Sequence, residues 1–188
     1  MKIEELATIV VAACEEEKVD HMVTGAFATS FYGIPRSTKD VDLVIGVDVD
    51  SNAISRIIAR LAPEVEFNDQ VQFDTLTWGR RHIGRAKANQ PLQVELFECF
   101  DDPFVREQFS RRRQLFSPQL GRVTWLPTPE DVVVQKLRWG RNKDRDDARD
   151  VLAVQGPETL DMGYIGKWCS VHGTTSRLED ALAGIPPM

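Results

Sequence analysis

Lys39-Asp40-Val41-Asp42-Leu43-Val44-Ile45 is the stretch from which the fold can be read. Its β-branched and apolar members suit a central strand, stopped by Gly46 and the acidic run 48–51. Side chains alternate across a strand, so Asp40 and Asp42 leave from one face while Val41 and Leu43 point to the other. Two neighbouring carboxylates repel unless a cation holds them. Hard oxygen ligands in this arrangement suit Mg²⁺ or Mn²⁺, which takes one or two carboxylates and completes its shell with substrate phosphates and water. An isolated Asp-x-Asp also occurs where a strand end faces water, so the flanking residues must decide.

Upstream, His21 to Thr24 reads as a short buried strand and Gly25 to Phe31 as a helix that starts directly after it. A glycine at such a junction lets phosphate oxygens approach the free N–H groups of a helix N-terminus, which makes Gly25 and Ala26 nucleotide-binding candidates. Arg36, Ser37, Thr38 and Lys39 then supply cations and hydroxyls beside the acidic pair, as a triphosphate requires. Downstream, Leu92-Gln93-Val94-Glu95-Leu96-Phe97 is an apolar strand carrying a single acid. Strand alternation allows Glu95 to face water with Gln93 or to serve as a third metal ligand, and Glu98, Asp101 and Asp102 are its rivals.

Taken together, Gly25-Ala26, the run from Gly33 to Asp42, and Glu95 resemble the minimal nucleotidyltransferases of the DNA polymerase β superfamily. The later Pro129-Glu130-Asp131-Val132-Val133-Val134-Gln135-Lys136-Leu137, followed by Arg145-Asp146-Asp147-Ala148-Arg149-Asp150-Val151, is similar to the lysine and R-D-x-x-D region of the AbiEii-type branch, which includes toxins. The resemblance implies an α+β nucleotidyltransferase fold, a mixed β-sheet with flanking helices and a C-terminal helical region. It implies that Asp40, Asp42 and Glu95 are catalytic and metal-binding, Glu95 assisting deprotonation of an acceptor hydroxyl. Lys136 would contact the triphosphate, and Asp147 and Asp150 would orient Lys136 or bind substrate. Ala26 stands where the family usually has glycine or serine, and Glu95 where aspartate is commoner. Backbone N–H groups persist at Ala26, and glutamate still ligates hard cations.

The activity so implied is transfer of a nucleoside monophosphate from a nucleoside triphosphate such as ATP to an acceptor hydroxyl on tRNA or another RNA, a protein or a small molecule. A second reading is a catalytically silent member that binds nucleotide or a cognate antitoxin protein in a toxin–antitoxin pair. Arg80, Arg81, Arg85, Lys87 and Arg111 to Arg113, with Trp78 and Trp125 for stacking, hint at RNA, and solubilising charge explains them equally well.

The 188 residues, 42% of them hydrophobic and 28% charged, provide for one ordinary core, which divides into a nucleotidyltransferase core over 1–125 and a helical region over 126–188 packed on it. A formal net charge of −6 disfavours a constitutive nucleic-acid binder, since any phosphate site must then be a local basic cluster. Cys14, Cys99 and Cys169 are scattered and form no Cys-x-x-Cys pair, which suits a reducing cytoplasm. Glu15 to Glu17 interrupt the first apolar stretch before it attains membrane-spanning length, so no membrane role is expected. Helices are expected from Ile3 to about Lys18, around Ile54 to Leu61, and over Pro129 to Trp139, Asp144 to Gln155, Pro157 to Cys169 and Thr175 to Ala183. Strands are expected over Val71 to Trp78, His82 to Lys87 and Leu92 to Phe97.

Overall fold

The computed structural model describes residues 1–47, 52–74, 79–88 and 91–186. In chain order the elements are α1 (Ile3–Glu16), β1 (His21–Val23), α2 (Gly25–Tyr32), β2 (Asp40–Ile45), α3 (Ala53–Leu61), β3 (Val65–Phe67), β4 (Gln72–Phe73), β5 (Arg80–Ala86) and β6 (Gln93–Glu98). There follow α4 (Pro103–Arg111), β7 (Arg113–Ser117), β8 (Arg122–Leu126), α5 (Pro129–Trp139), α6 (Asn142–Gln155), α7 (Met162–His172) and α8 (Thr175–Ala183). The chain divides into two compact units, one of residues 1–27 and 37–126 and one of residues 28–36 and 127–188, and the division falls inside α2.

In the first unit, among the described residues, six strands form a mixed sheet in the order β1-β2-β6-β5-β3, with β4 also pairing with β5. Strand β2 lies antiparallel to β1 and parallel to β6, and β5 is antiparallel to β6. Val41, Leu43 and Ile45 are fully buried on one face of β2, as alternation requires, and each contributes roughly 1.5–3 kcal/mol by its burial. They fix which way the strand faces, because a slip of one residue would drive Asp40 and Asp42 into the core. At the far end of the other face, Met22, Val44, Cys99 and Val105 pack together with Phe97, Phe100 and Phe109, which roofs that end of the sheet with α4. Strands β7 and β8 form a separate hairpin.

The second unit is helical. Residues 131–137 of α5 are all buried, so α5 is its central helix, and α6 and α7 pack on it. Its start is built as the sequence predicts: Thr128 Oγ1 accepts from the Asp131 amide at 3.3 Å, and Pro129 opens the first turn. Gly140 ends the helix at φ +67° and donates its N–H to the Lys136 carbonyl. Asp131, although fully buried, is satisfied by the Thr128 hydroxyl at 2.8 Å and by Tyr164 Oη, which donates at 2.5 Å.

Several elements depart from the sequence reading. Helix α1 stops at Glu16 because Lys18 takes a left-handed conformation (φ +54°). Helix α7 begins at Met162 rather than Pro157, since Asp161 caps it by accepting from the Tyr164 amide at 2.9 Å. Of the strand expected over Val71 to Trp78, Gln72 and Phe73 pair with β5, while residues 75–78 lie outside the described residues, as do 48–51 and 89–90. Strand β3, helix α4 and the β7–β8 hairpin had no counterpart in the sequence reading. Asp102-Pro103 carried a start signal for α4, because the Asp102 carboxylate accepts from the amides of Phe104 and Val105, both at 3.0 Å.

Candidate active site

The parallel pairing of β2 with β6 sets Asp40 beside Gln93, Asp42 beside Glu95 and Val44 beside Phe97. Residues in register across neighbouring strands share a face, and the strands lie about 4.8 Å apart. Asp42 and Glu95 are therefore immediate neighbours, half-buried on a face whose other end is apolar. Gln93 Nε2 donates to Asp40 Oδ1 at 3.4 Å, and Thr38 Oγ1 accepts from the Asp40 amide at 3.1 Å. The Lys39 carbonyl accepts from the Gln93 amide at 2.8 Å and ties the approach of β2 to β6, leaving the Lys39 side chain exposed.

The rivals of Glu95 are spent elsewhere. Glu98 lies three residues on, so it faces the other way; it pairs with His82 at 2.8 Å and Arg80 at 3.5 Å. Asp101 is an exposed partner of Arg106, and Asp102 caps α4.

At the head of α2, Gly25 has φ +61°, and a Cβ built there would stand 1.9 Å from Asp42 Oδ2. The Asp42 carboxylate thus rests against the glycine turn, and the Thr24 amide donates to the Asp42 carbonyl at 2.9 Å. Phosphate oxygens drawn to the N–H groups of Gly25 and Ala26 would meet this anion. The oxygen donors of Asp40 and Asp42 are of the hard type that Mg²⁺ takes, and Mg²⁺ held there would offset this repulsion. Among the described residues, no three His, Cys, Asp or Glu side chains form a ready-made cage.

Arg81 is the residue of this face whose part sequence reasoning missed. Its guanidinium donates to Glu95 Oε2 at 3.1 Å and to Gln72 Oε1 at 2.9 Å, and lies 5.9 Å from the centre of the Phe97 ring. Arg81 pairs in register with Phe97 and Ile83 with Glu95, so Arg81 and Glu95 meet diagonally on one face.

The helical unit holds a second charge constellation. Asp147 receives Arg36 in a fork, Nε to Oδ1 at 2.8 Å and the terminal nitrogen to Oδ2 at 3.0 Å. Lys136 Nζ lies 2.7 Å from Asp147 and 3.3 Å from Asp144, and Arg141 Nε reaches Asp144 at 2.5 Å. Burial alone would raise the Asp147 carboxyl, but the hydrogen bonds from Arg36 and Lys136 outweigh it and hold it below the usual carboxylate range. Arg36, Lys136 and Arg141 thus all face these two carboxylates. Asp150 is not brought to Lys136; it pairs with Arg149 at 3.7 Å, and burial raises its carboxyl. The second acid on Lys136 is instead Asp144, and the signal was in the sequence. Asp144, Asp147, Ala148, Val151 and Leu152 recur at helical spacing and are the buried residues of α6.

The basic residues that hinted at RNA have mostly local partners. Arg80 and Arg81 hold Glu98 and Glu95, and Lys87 Nζ donates to the Ala62 carbonyl at 2.6 Å. Arg112 pairs with Asp20 at 2.8 Å and stacks on Phe109 and Trp125. Trp78 lies outside the described residues. Cys14, Cys99 and Cys169 are buried thiols outside any disulfide, the Cys14 thiol pushed up to about 12 chiefly by burial. Among the described residues, no helix is long and apolar enough to cross a membrane.

No protein-family model matches the chain, and no curated protein matches it. Solved structures do. An antigenic nucleotidyltransferase-like protein from Paracoccidioides brasiliensis superposes with a TM-score of 0.59 at 20% identity, covering 100% of this chain and 94% of that one. The antibiotic-resistance factor ANT(2'')-Ia gives a TM-score of 0.63 at 11% identity over 94% of this chain and 96% of its own. The same factor in complex with adenylyl-2''-tobramycin gives 0.60 at 12% identity, over 90% and 98% of the two chains. The chain has a nucleotidyltransferase fold, a mixed sheet with flanking helices.

Proposed function

We propose that this chain is a nucleotidyltransferase that moves a nucleoside monophosphate from a nucleoside triphosphate to an acceptor hydroxyl, with Asp40 and Asp42 holding a divalent metal ion. The observation that carries this reading is the placement of Asp42, in register with Glu95 and pressed against Gly25. Mg²⁺ or Mn²⁺, when bound, would neutralise phosphate charge and polarise the α-phosphorus. The N–H groups at the head of α2 would bind phosphate oxygens, with Gly25 allowing the close approach and Ala26 keeping a buried, inert wall. Glu95 would orient the acceptor hydroxyl and take up its proton. Lys39 would contribute positive charge to triphosphate affinity, and for Arg36 and Lys136 a part in nucleotide binding rests on the sequence resemblance alone. Asp147 would serve by fixing Arg36 and Lys136, whereas Asp150 would have a lesser part through Arg149. The narrower resemblance to the AbiEii-type branch rests on the sequence motifs.

A small-molecule hydroxyl is the favoured acceptor. The likeness to a factor solved with adenylyl-2''-tobramycin supports it, as does the local pairing of the arginines that hinted at RNA. ATP is by the same argument the first donor to test.

The test is thermal melting with ATP, GTP, CTP or UTP, with and without Mg²⁺ or Mn²⁺, for the wild type and the Asp40→Ala/Asp42→Ala variant. A ligand at a hundred times its Kd stabilises by about 2.7 kcal/mol. The expected result is a metal-dependent shift with one triphosphate, absent in the variant. A folded wild type that no triphosphate stabilises with either metal would sink the assignment and favour the silent, partner-binding reading.

A further inference from the structure

We propose that the helical unit carries a binding site for a phosphorylated polyol, in a cleft between α6 and α8. The cleft has a volume of about 390 Å³ and is lined by Asn142, Arg145, Asp146 and Arg149 from α6 and by Arg177 and Asp180 from α8. Two of its arginines are anchored rather than loose. Arg177 donates through one terminal nitrogen to the Leu137 carbonyl at 2.7 Å and to the Arg138 carbonyl at 3.2 Å, and Arg145 Nε donates to the Gly140 carbonyl at 3.2 Å. Both guanidiniums are thus held by the end of α5, whose dipole favours cations there. Gly140 permits the approach, since a Cβ at that position would stand 2.1 Å from the Arg177 nitrogen. Arg149 lies one helical turn beyond Arg145 and is already paired with Asp146 at 3.0 Å and Asp150 at 3.7 Å.

Anchoring consumes only one nitrogen of each guanidinium. The other nitrogens of Arg145 and Arg177 have no partner among the described residues, so two fixed forks remain to meet one ligand. Asn142, the first residue of α6, lines the same cleft and brings the positive end of that helix to it. Paired guanidiniums suit the oxygens of a phosphate dianion, and because they are already held, little side-chain freedom is lost on binding. The rest of the lining narrows the ligand further. Asp146 and Asp180 are exposed carboxylates that would repel a bare anion and accept hydrogen bonds from hydroxyl groups. Ala181 completes the lining, which leaves no aromatic or extended apolar surface for a base. A phosphate for the arginines and hydroxyls for the acids together describe a phosphorylated polyol. Arg145 and Arg177 have no part in the proposed transfer reaction, so the two readings can fail separately.

The experiment records proton–nitrogen correlation spectra of the labelled protein, arginine Nε–H signals included, during titration with inorganic phosphate, glycerol phosphate or glycerol, sodium chloride keeping the ionic strength constant. Both phosphates should shift the Arg145, Arg177 and Asn142 signals to saturation, glycerol phosphate binding the more tightly, and glycerol alone should leave them in place. Arg145→Gln, a change at an exposed side chain, should weaken glycerol phosphate binding roughly tenfold, the scale for losing one charge-assisted contact. Arg177→Lys should do the same, because a single ammonium cannot hold the α5 carbonyls and a phosphate together, and melting curves check that both variants fold. Signals that never saturate, or equal affinity in wild type and folded Arg145→Gln, overturn the inference. Glycerol phosphate binding no more tightly than inorganic phosphate overturns it too, since the acids would then select nothing. Shifts at Gly25 and Ala26 in the same spectra report phosphate binding at the sheet unit independently.

Discussion

The carboxylate face of the sheet unit and the ion-pair network of the helical unit are built from the same residue types, and they treat charge in opposite ways. Asp40, Asp42 and Glu95 sit half-buried, Glu95 in contact with Arg81. Asp144 and Asp147 are buried and surrounded by Lys136, Arg36 and Arg141. Partly solvated acids can receive a cation and have little to lose when one of them is removed. A buried, compensated network cannot exchange its members, because removing one leaves an uncompensated charge out of water. The first arrangement suits chemistry and the second suits holding a shape.

The largest expected effect separates the two regions by function. Asp40→Ala/Asp42→Ala should lower nucleotidyl transfer by about 10³-fold, the scale for losing a preorganised charge partner at a reacting phosphate. Its melting temperature without nucleotide should change little. A variant that retained turnover would place the chemistry elsewhere. In the helical unit the pattern reverses: Asp144→Ala should cost about 3 kcal/mol in a denaturant titration, since Lys136 and Arg141 lose a carboxylate that is 0% exposed. A loss below about 1 kcal/mol would mean that the network behaves like a surface ion pair and erase the contrast.

Gly25→Ala sharpens the comparison at the sheet site. A side chain at φ +61° costs about 1–2 kcal/mol, and the new Cβ would displace Asp42 Oδ2, 1.9 Å away. Triphosphate-dependent stabilisation should therefore fall by more than stability itself, which paired melts with and without ATP and Mg²⁺ would resolve.

The smallest effect is on pH. The folded Asp147 carboxyl is depressed, so its contribution is fully present above the ordinary aspartate value and is lost as pH falls through the folded one. Urea midpoints measured from neutral pH downward should thus fall more steeply in wild type than in Asp147→Asn. Equal slopes would remove the Arg36 and Lys136 pairs as its cause.

Much of the sheet site was legible. The alternation of Asp40-Val41-Asp42-Leu43 dictates which face each side chain takes, and Gly25 between a strand and a helix announces a close approach. Glu95 could only be ranked against Glu98, Asp101 and Asp102, because nothing local says which acid a distant strand will lie beside. The β2–β6 register sets Glu95 beside Asp42, and the β5–β6 pairing brings Arg81 to it. Asp144 was hidden in a different way. A charged run on a helix usually marks a solvated face, and only its phase with Val151 and Leu152 reveals that this one turns inward.

By itself, then, the sequence determined what short-range physics can encode: the faces of β2, with Asp40 and Asp42 on one of them, and the capped start and glycine end of α5. Tertiary structure alone decided which residues meet across long stretches of chain: Asp42 with Glu95, Glu95 with Arg81, and Arg36 with Asp147. Periodicity and capping act over a few residues, whereas register and buried ion pairing are settled when whole elements compete to cover their apolar faces. No single stretch of the chain carries that outcome.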